Sequence, residues 1–183
     1  MSLNLDAFRQ DMCLRGFAKS TVTRNISNVR RYILWAQEKN LAPEQGRKED
    51  LLAYLAYLRT KGLRQSSMTA TFVSLNAWFG YLMESDEMQK NPIPAIQKRY
   101  LRNYKDEIRR RQSISVENAA KMVRATIDTR DRAILILFFK TGIRRNELIT
   151  LDLEDLDLQG MSLTLKPTPK RSNRMVFFDD ETL

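Results

Sequence analysis

The sequence predicts a mainly α-helical protein. A four-helix bundle spans residues 1–92, a basic linker spans 93–112, and residues 113–183 hold the first helices and a β-hairpin of an α+β domain that breaks off partway. Three observations predict this. Apolar residues recur at intervals of three and four through the first ninety residues. The period then shortens to two near residue 161, as expected where a helix gives way to a strand. Between the two blocks, Asn91-Pro92-Ile93-Pro94 stops the helical pattern and the chain turns strongly basic.

The first helix carries Leu5, Phe8 and Met12 at helical spacing. In the second, over 16–40, Val22, Ile26, Val29, Ile33 and Ala36 share a face. Lys19, Arg24, Arg30 and Arg31 lie largely off that face, and Ser20 or Thr21 suits the N-cap. A loop with Pro43 and Gly46 leads to a third helix over 49–61, closed by Gly62. The fourth, over 66–85, repeats Phe72, Leu75, Phe79 and Leu82. In 97–111 seven basic residues face two acidic ones, a local surplus of 7 − 2 = +5. Two readings stay open there: a solvated linker, or a segment along a phosphate backbone with Tyr100 and Tyr104 interleaved.

The second block opens at 113–127, where Ser115 and Asn118 give a loose cap. Residues 130–140 are so apolar that a buried helix is expected, ended by Gly142. A short helix over 144–151 and an acidic turn over 152–157 follow. Then 161–166 and 174–178 alternate as strands, joined by the basic, proline-broken tip 166–174.

Composition narrows the function. The chain has 183 residues, 43% hydrophobic and 29% charged, enough for a sizeable core without disulfides. Its longest apolar run, 133–139, is far too short to span a bilayer, and no signal peptide is visible, so a soluble cytoplasmic protein is expected. The single cysteine, Cys13, reads as a small buried hydrophobe in a reducing compartment. With no histidine and one cysteine, a structural zinc site is effectively excluded. A net charge of +9 favours a polyanion, nucleic acid before a membrane surface.

The chemistry concentrates after Gly142. Arg144 and Arg145 stand at the start of a helix, where the dipole already disfavours cations and favours an anion. Glu147, three residues on, can pair with Arg144 and fix its rotamer. The hairpin tip adds Lys170, Arg171 and Arg174, with Lys166 at its base, making an arginine-plus-lysine clamp for phosphate. The acidic cluster Asp152, Glu154, Asp155 and Asp157 reads as a turn and not as a magnesium site, so no metal is expected.

The string Thr141-Gly142-Ile143-Arg144-Arg145-Asn146-Glu147-Leu148, followed by Leu151 and Asp155, resembles the first catalytic box of the tyrosine recombinases, the phage-integrase and Xer-type family. The four-helix block and its Asn-Pro ending resemble the family's SAM-like core-binding domain, which binds DNA. The resemblance implies DNA strand cleavage and rejoining through a phosphotyrosyl link, with no cofactor. It implies that Arg144 contacts the scissile phosphate, that Glu147 supports it, and that Lys170, or alternatively Lys166, protonates the leaving hydroxyl. The family's His-x-x-Arg box and late nucleophilic tyrosine have no counterpart, since the chain has no histidine and no tyrosine beyond Tyr104. The chain alone is therefore expected to bind double-stranded DNA without cutting it, either as part of a recombinase or as a non-catalytic DNA-binding regulator with the same fold. Lys19, Ser20, Thr21 and Arg24, then Arg64, Ser66, Ser67 and Thr69, then Lys98, Arg99, Arg145, Arg171 and Arg174 are the expected DNA contacts. A monomer in solution that assembles on DNA as the full-length protein completes the expectation.

Overall fold

A computed structural model describes residues 5–102, 112–167 and 174–179. The chain divides into two compact units, Met1–Arg109 and Arg110–Leu183.

In the first unit, α1 (Leu5–Leu14) buries Phe8 and Met12. Cys13 lies one residue past Met12, about 100° further round the helix, and is exposed; the expected buried cysteine is corrected by that rotation. Helix α2 (Lys19–Glu38) buries all five residues of its expected face and adds Tyr32 and Trp35. Its N-cap is Ala18, with no side-chain bond, so neither Ser20 nor Thr21 caps it. The amides of Thr21 and Val22 instead bond the Ala18 carbonyl, which starts the helix earlier. Helix α3 (Lys48–Thr60) closes at Gly62, whose φ of +70° lets its N–H return to the Arg59 carbonyl. Helix α4 (Gln65–Glu84) buries Phe72, Leu75, Trp78, Phe79 and Leu82. Side chains of this size contribute roughly 1.5–3 kcal/mol each when buried.

The pairing of α2 with α4 is fixed by a polar knot in that apolar core. The Ser74 hydroxyl donates to Asn25 Oδ1 at 2.8 Å and accepts from Asn28 Nδ2 at 2.9 Å. A one-turn slip would strand these buried groups, which is why such knots select one register. Around it, Tyr32 meets Tyr54 at 5.1 Å and Trp78 at 6.2 Å between ring centres.

The first unit extends beyond the expected boundary at residue 92. Pro92 and Pro94 do not only stop a helix; they open one, α5 (Ile93–Ile96), which continues as a π-type turn over Gln97–Leu101. Asn91 secures its start, accepting the Ile93 amide at 2.9 Å and donating to Asn76. Ile93, Ile96 and Leu101 are buried in the same core as α1–α4, and Tyr100 packs on it. Residues 93–101 are thus not a linker, because three apolar side chains in that short stretch are better placed in the core than in water. Residues 103–111, with Tyr104, lie outside the described residues.

In the second unit, α6 (Val116–Ala125) is capped by Ser115, which accepts the Asn118 amide at 3.3 Å. Helix α7 (Thr129–Thr141) is capped by Asp128 and ends at Gly142, whose φ is +61°. Leu137 and Phe138 pack on a small core of Ile143, Leu163, Leu165, Val176 and Phe178. The rest of α7 does not match the expected buried helix: Ile134, Leu135 and Ile136 are half-buried and Phe139 is exposed. Among the described residues of this unit, a short helix and a small sheet cannot cover every side of an all-round apolar helix. The expected hairpin is present. Strands β1 (Leu156–Asp157), β2 (Ser162–Leu165) and β3 (Arg174–Phe177) form an antiparallel sheet in that order. Leu163 faces Val176 and Leu165 faces Arg174 across β2 and β3.

Candidate functional site

The site is built where α7 turns into α8 (Arg145–Ile149). Gly142 allows the left-handed turn, and buried Ile143 anchors it. Arg144 then occupies the N-cap in extended geometry and Arg145 the first helical position. Cations at this end oppose the helix dipole, and Glu147 answers them. Its carboxylate is buried, with 5% of the side chain exposed. Oε2 accepts the Arg144 backbone N–H at 2.7 Å and Arg174 Nη2 at 3.0 Å. Oε1 faces Arg144 Nη1 at 3.5 Å. These contacts hold the Glu147 carboxyl below the usual carboxylate range, the Arg144 N–H first and the Arg174 hydrogen bond second.

Two guanidinium groups share one carboxylate, so the trio keeps a net charge of 2 − 1 = +1. Arg144 is 56% exposed, which leaves most of its fork to solvent with its base fixed. Such an arrangement can grip one anionic oxygen pair, as in a phosphate.

A second cluster lies at the foot of the hairpin. Lys166, just past β2, is bound by Asp152 and, at 3.3 Å, by Asp155. Asp155 also accepts the Asp152 amide at 2.9 Å. Asp152, then Asp155, push the Lys166 ammonium above its ordinary value, while the Asp152 amide and Lys166 pull the Asp155 carboxyl down. An ammonium held this way gives up its proton less readily. Among the described residues no cluster of acidic, histidine or cysteine side chains could hold a metal, and no helix is long and apolar enough to cross a membrane.

The first unit offers exposed cations at two helix starts. Lys19, Ser20 and Arg24 are exposed on the first turns of α2, with Thr21 half-buried. Arg64, Ser66 and Ser67 are exposed at the start of α4. The N-caps are Ala18 and Arg64 without side-chain bonds, so the hydroxyls of Ser20, Thr21, Ser66 and Ser67 are not used as caps. Thr69 of α4 and Lys98 of the π-type turn line one cleft of about 380 Å³ with Val73 and Arg102. Among the described residues, no hydrogen bond or ion pair joins the α2 group to the α4 group.

Residues 5–88 match the family described as phage integrase, N-terminal SAM-like domain. Tyrosine recombinase XerD of Shewanella oneidensis is 25% identical over 159 residues, covering 86% of this chain and 53% of that protein. Tyrosine recombinase XerC of Staphylococcus carnosus is 26% identical over 146 residues, covering 80% of this chain and 49% of that protein. The chain is homologous to the Xer tyrosine recombinases. It spans about half the length of the curated relatives it matches. The fold agrees: the Tn1549 transposon integrase in complex with transposon right end DNA superposes with a TM-score of 0.70 at 16% identity, covering 96% of this chain and 60% of that one.

In this recombinase homologue the expected site residues of the second unit and of 98–99 divide into four groups. Arg144, Glu147 and Arg174 meet, although Arg174 was expected at a DNA-facing tip; it turns inward to Glu147. The alternation of 174-RMVFF-178 already carried that signal, since Arg174 shares a strand face with buried Val176. An arginine on the inward face calls for an acid, and only the tertiary fold shows which. Lys166 is tied into its own acidic cluster. Lys170 and Arg171 lie outside the described residues. Arg145, Lys98 and Arg99 are exposed. Arg99 sits over the Tyr100 ring at 5.6 Å, and Arg59 donates to the Tyr100 carbonyl at 3.1 Å, a tie the sequence did not suggest.

Proposed function

We propose that this chain is the DNA-binding and first catalytic portion of a site-specific tyrosine recombinase, one that cleaves and rejoins DNA strands through a phosphotyrosyl intermediate in the full-length protein. The observation that carries the reading is the exposed Arg144 fork at the mouth of α8, its base held by buried Glu147, in a chain homologous to Xer recombinases. Arg144 contacts the scissile phosphate and Glu147 orients it. Lys170 supplies the proton to the leaving hydroxyl, a role Lys166 fills less well because Asp152 and Asp155 hold its ammonium. No metal or cofactor takes part. Arg145 binds the neighbouring backbone, together with Arg171.

Duplex DNA is the partner, gripped by Lys19, Ser20, Thr21 and Arg24 at α2, and by Arg64, Ser66, Ser67 and Thr69 with Lys98 and Arg99 at α4 and its neighbour. Uncapped helix starts beside cations suit phosphates. The protein works in the cytoplasm, monomeric in dilute solution, with full-length copies assembling on DNA. The 183-residue chain itself carries no histidine and no tyrosine beyond Tyr104, so it holds DNA without cutting it.

Fluorescence anisotropy with a labelled duplex across a salt series tests the reading. The log–log slope is expected at about −0.9 per neutralised phosphate, and salt-independent binding would overturn it. Arg144→Ala changes affinity by less than about threefold, because one phosphate contact among many is lost. A covalent adduct with a nicked suicide duplex would refute the claim that this chain does not cut.

A further inference from the structure

The groove between α1 and α2 differs from the rest of the first unit's surface. It encloses about 500 Å³ over a floor of Val22 and Ile26. Phe17 and Leu34 also line it, 41% and 52% exposed, and Arg9, Lys19 and Arg30 stand along its sides. Among the described residues no acidic side chain lines it, and none of those three cations is in an ion pair. Nucleic acid could neutralise the cations but would leave Phe17 and Leu34 facing water. A protein segment that alternates carboxylates with leucines satisfies both features.

The chain carries such a segment. In 152-DLEDLDL-158, Leu156 packs on the second unit's core, whereas Leu153 is 88% exposed and Leu158 55% exposed. Asp152 and Asp155 are engaged by Lys166, but among the described residues Glu154 and Asp157 have no ion pair. Two outward leucines flanking two such acids serve no packing purpose within the second unit.

We propose that the acidic leucine turn 152–158 of one copy docks into the α1–α2 groove of a second copy. Leu153 and Leu158 cover the apolar floor, and Glu154 and Asp157 meet the cations along its sides. Two leucines and a few charge pairs make a contact far smaller than a standard stable interface. The association is therefore weak, absent in dilute solution and populated when copies are crowded together.

The test mixes unlabelled and ¹⁵N-labelled protein at high concentration without DNA and applies a zero-length carbodiimide cross-linker. Mass spectrometry should find Lys19 joined to Glu154 or Asp157 in peptides of mixed isotope. Arg30→Glu and Glu154→Arg should each lower the yield of the Lys19–Asp157 link at least about tenfold, and the double variant should restore it, because the swap re-pairs the charges. Circular dichroism and hydrogen exchange establish that each variant folds, and the unsubstituted protein supplies the readout if one does not. Links of a single isotope only, no link from 152–158, or a swap that fails to restore would each overturn the proposal. So would protection of Arg9 and Arg30 from an arginine-selective reagent that appears only with duplex DNA and without any mixed link, which would assign the groove to nucleic acid. Neither Arg30 nor Glu154 belongs to the proposed DNA contacts, so the salt series on the same variants separates a failure here from a failure of the DNA-binding reading.

Discussion

Replacing Glu147 by glutamine keeps the side chain's shape and an oxygen for the Arg144 amide, but removes the charge that Arg144 and Arg174 share. A hydrogen bond to a charged group contributes about 1.5–3 kcal/mol. Here the acceptor is buried while the two guanidinium groups are 56% and 34% exposed, so solvent recovers part of the loss. The net cost is then about 1–2 kcal/mol. For a unit of this size that lowers the melting temperature on the order of 10 °C. Both tryptophans, Trp35 and Trp78, lie in the first unit, so fluorescence should not register the change. Hydrogen exchange should, as faster exchange over 143–149 and 174–177. The pH dependence gives an independent check. The Glu147 carboxyl is depressed below its ordinary 4.5, so its contribution is complete above that value and is lost as pH falls through the lower folded value. Protection of the hairpin in the parent protein should drop in that acid window, and the Glu147→Gln variant should show a smaller drop, the remainder belonging to Asp155, whose carboxyl is also depressed. Equal protection at neutral pH, or an unchanged acid transition in the variant, would refute the assigned role.

Three further outcomes follow from the first unit and its turns. Ser74→Ala strips the partner from a buried Asn25 oxygen and leaves the Asn28 amide only the Ala70 carbonyl at 3.5 Å, so the urea midpoint read by tryptophan fluorescence should fall by the equivalent of about 1–3 kcal/mol. Gly46 and Gly142 both sit at positive φ, but a Cβ at Gly46 would come 2.8 Å from Phe79 Cε1 whereas one at Gly142 meets nothing within 4 Å. Gly46→Ala should therefore lower the same urea midpoint by more than the roughly 1–2 kcal/mol of backbone strain, whereas Gly142→Ala, in the unit without a tryptophan, should show that strain alone, as faster hydrogen exchange over 143–149. Burial pushes the Tyr54 phenol up to about 12 and Tyr32 further still. Stability is then complete below the ordinary value of 10.0 and declines as pH rises from there, because the unfolded chain ionises first. An absorbance titration should show two of the six tyrosines ionising only as the fold is lost.

Hydrophobic period alone placed α1–α4, and Val22, Ile26, Val29, Ile33 and Ala36 are all buried as that period requires. It also placed Gly142 as a helix stop and the β2–β3 hairpin. The box at 141–148 was legible because its residues are consecutive: Arg144 and Glu147 are one helical turn apart, and their pairing is local geometry. Where contacts join distant residues, the sequence could only list candidates. Residues 93–101 looked like linker because they follow the Asn91-Pro92 break and lead into the basic run 97–111, yet Ile93, Ile96 and Leu101 reach a core built by other helices. Cys13 looked buried because its neighbours are apolar, and one residue of helical rotation turned it outward. Arg174 and Lys166 are both basic residues of one hairpin, with nothing local to separate their roles. The strand register and the α8 turn send Arg174 to Glu147, 27 residues away, and Lys166 to Asp152 and Asp155. Period and spacing are properties of neighbours along the chain, so the sequence determined the elements and their apolar faces. Which charge meets which depends on how those elements cross, and that was decided only by the tertiary structure.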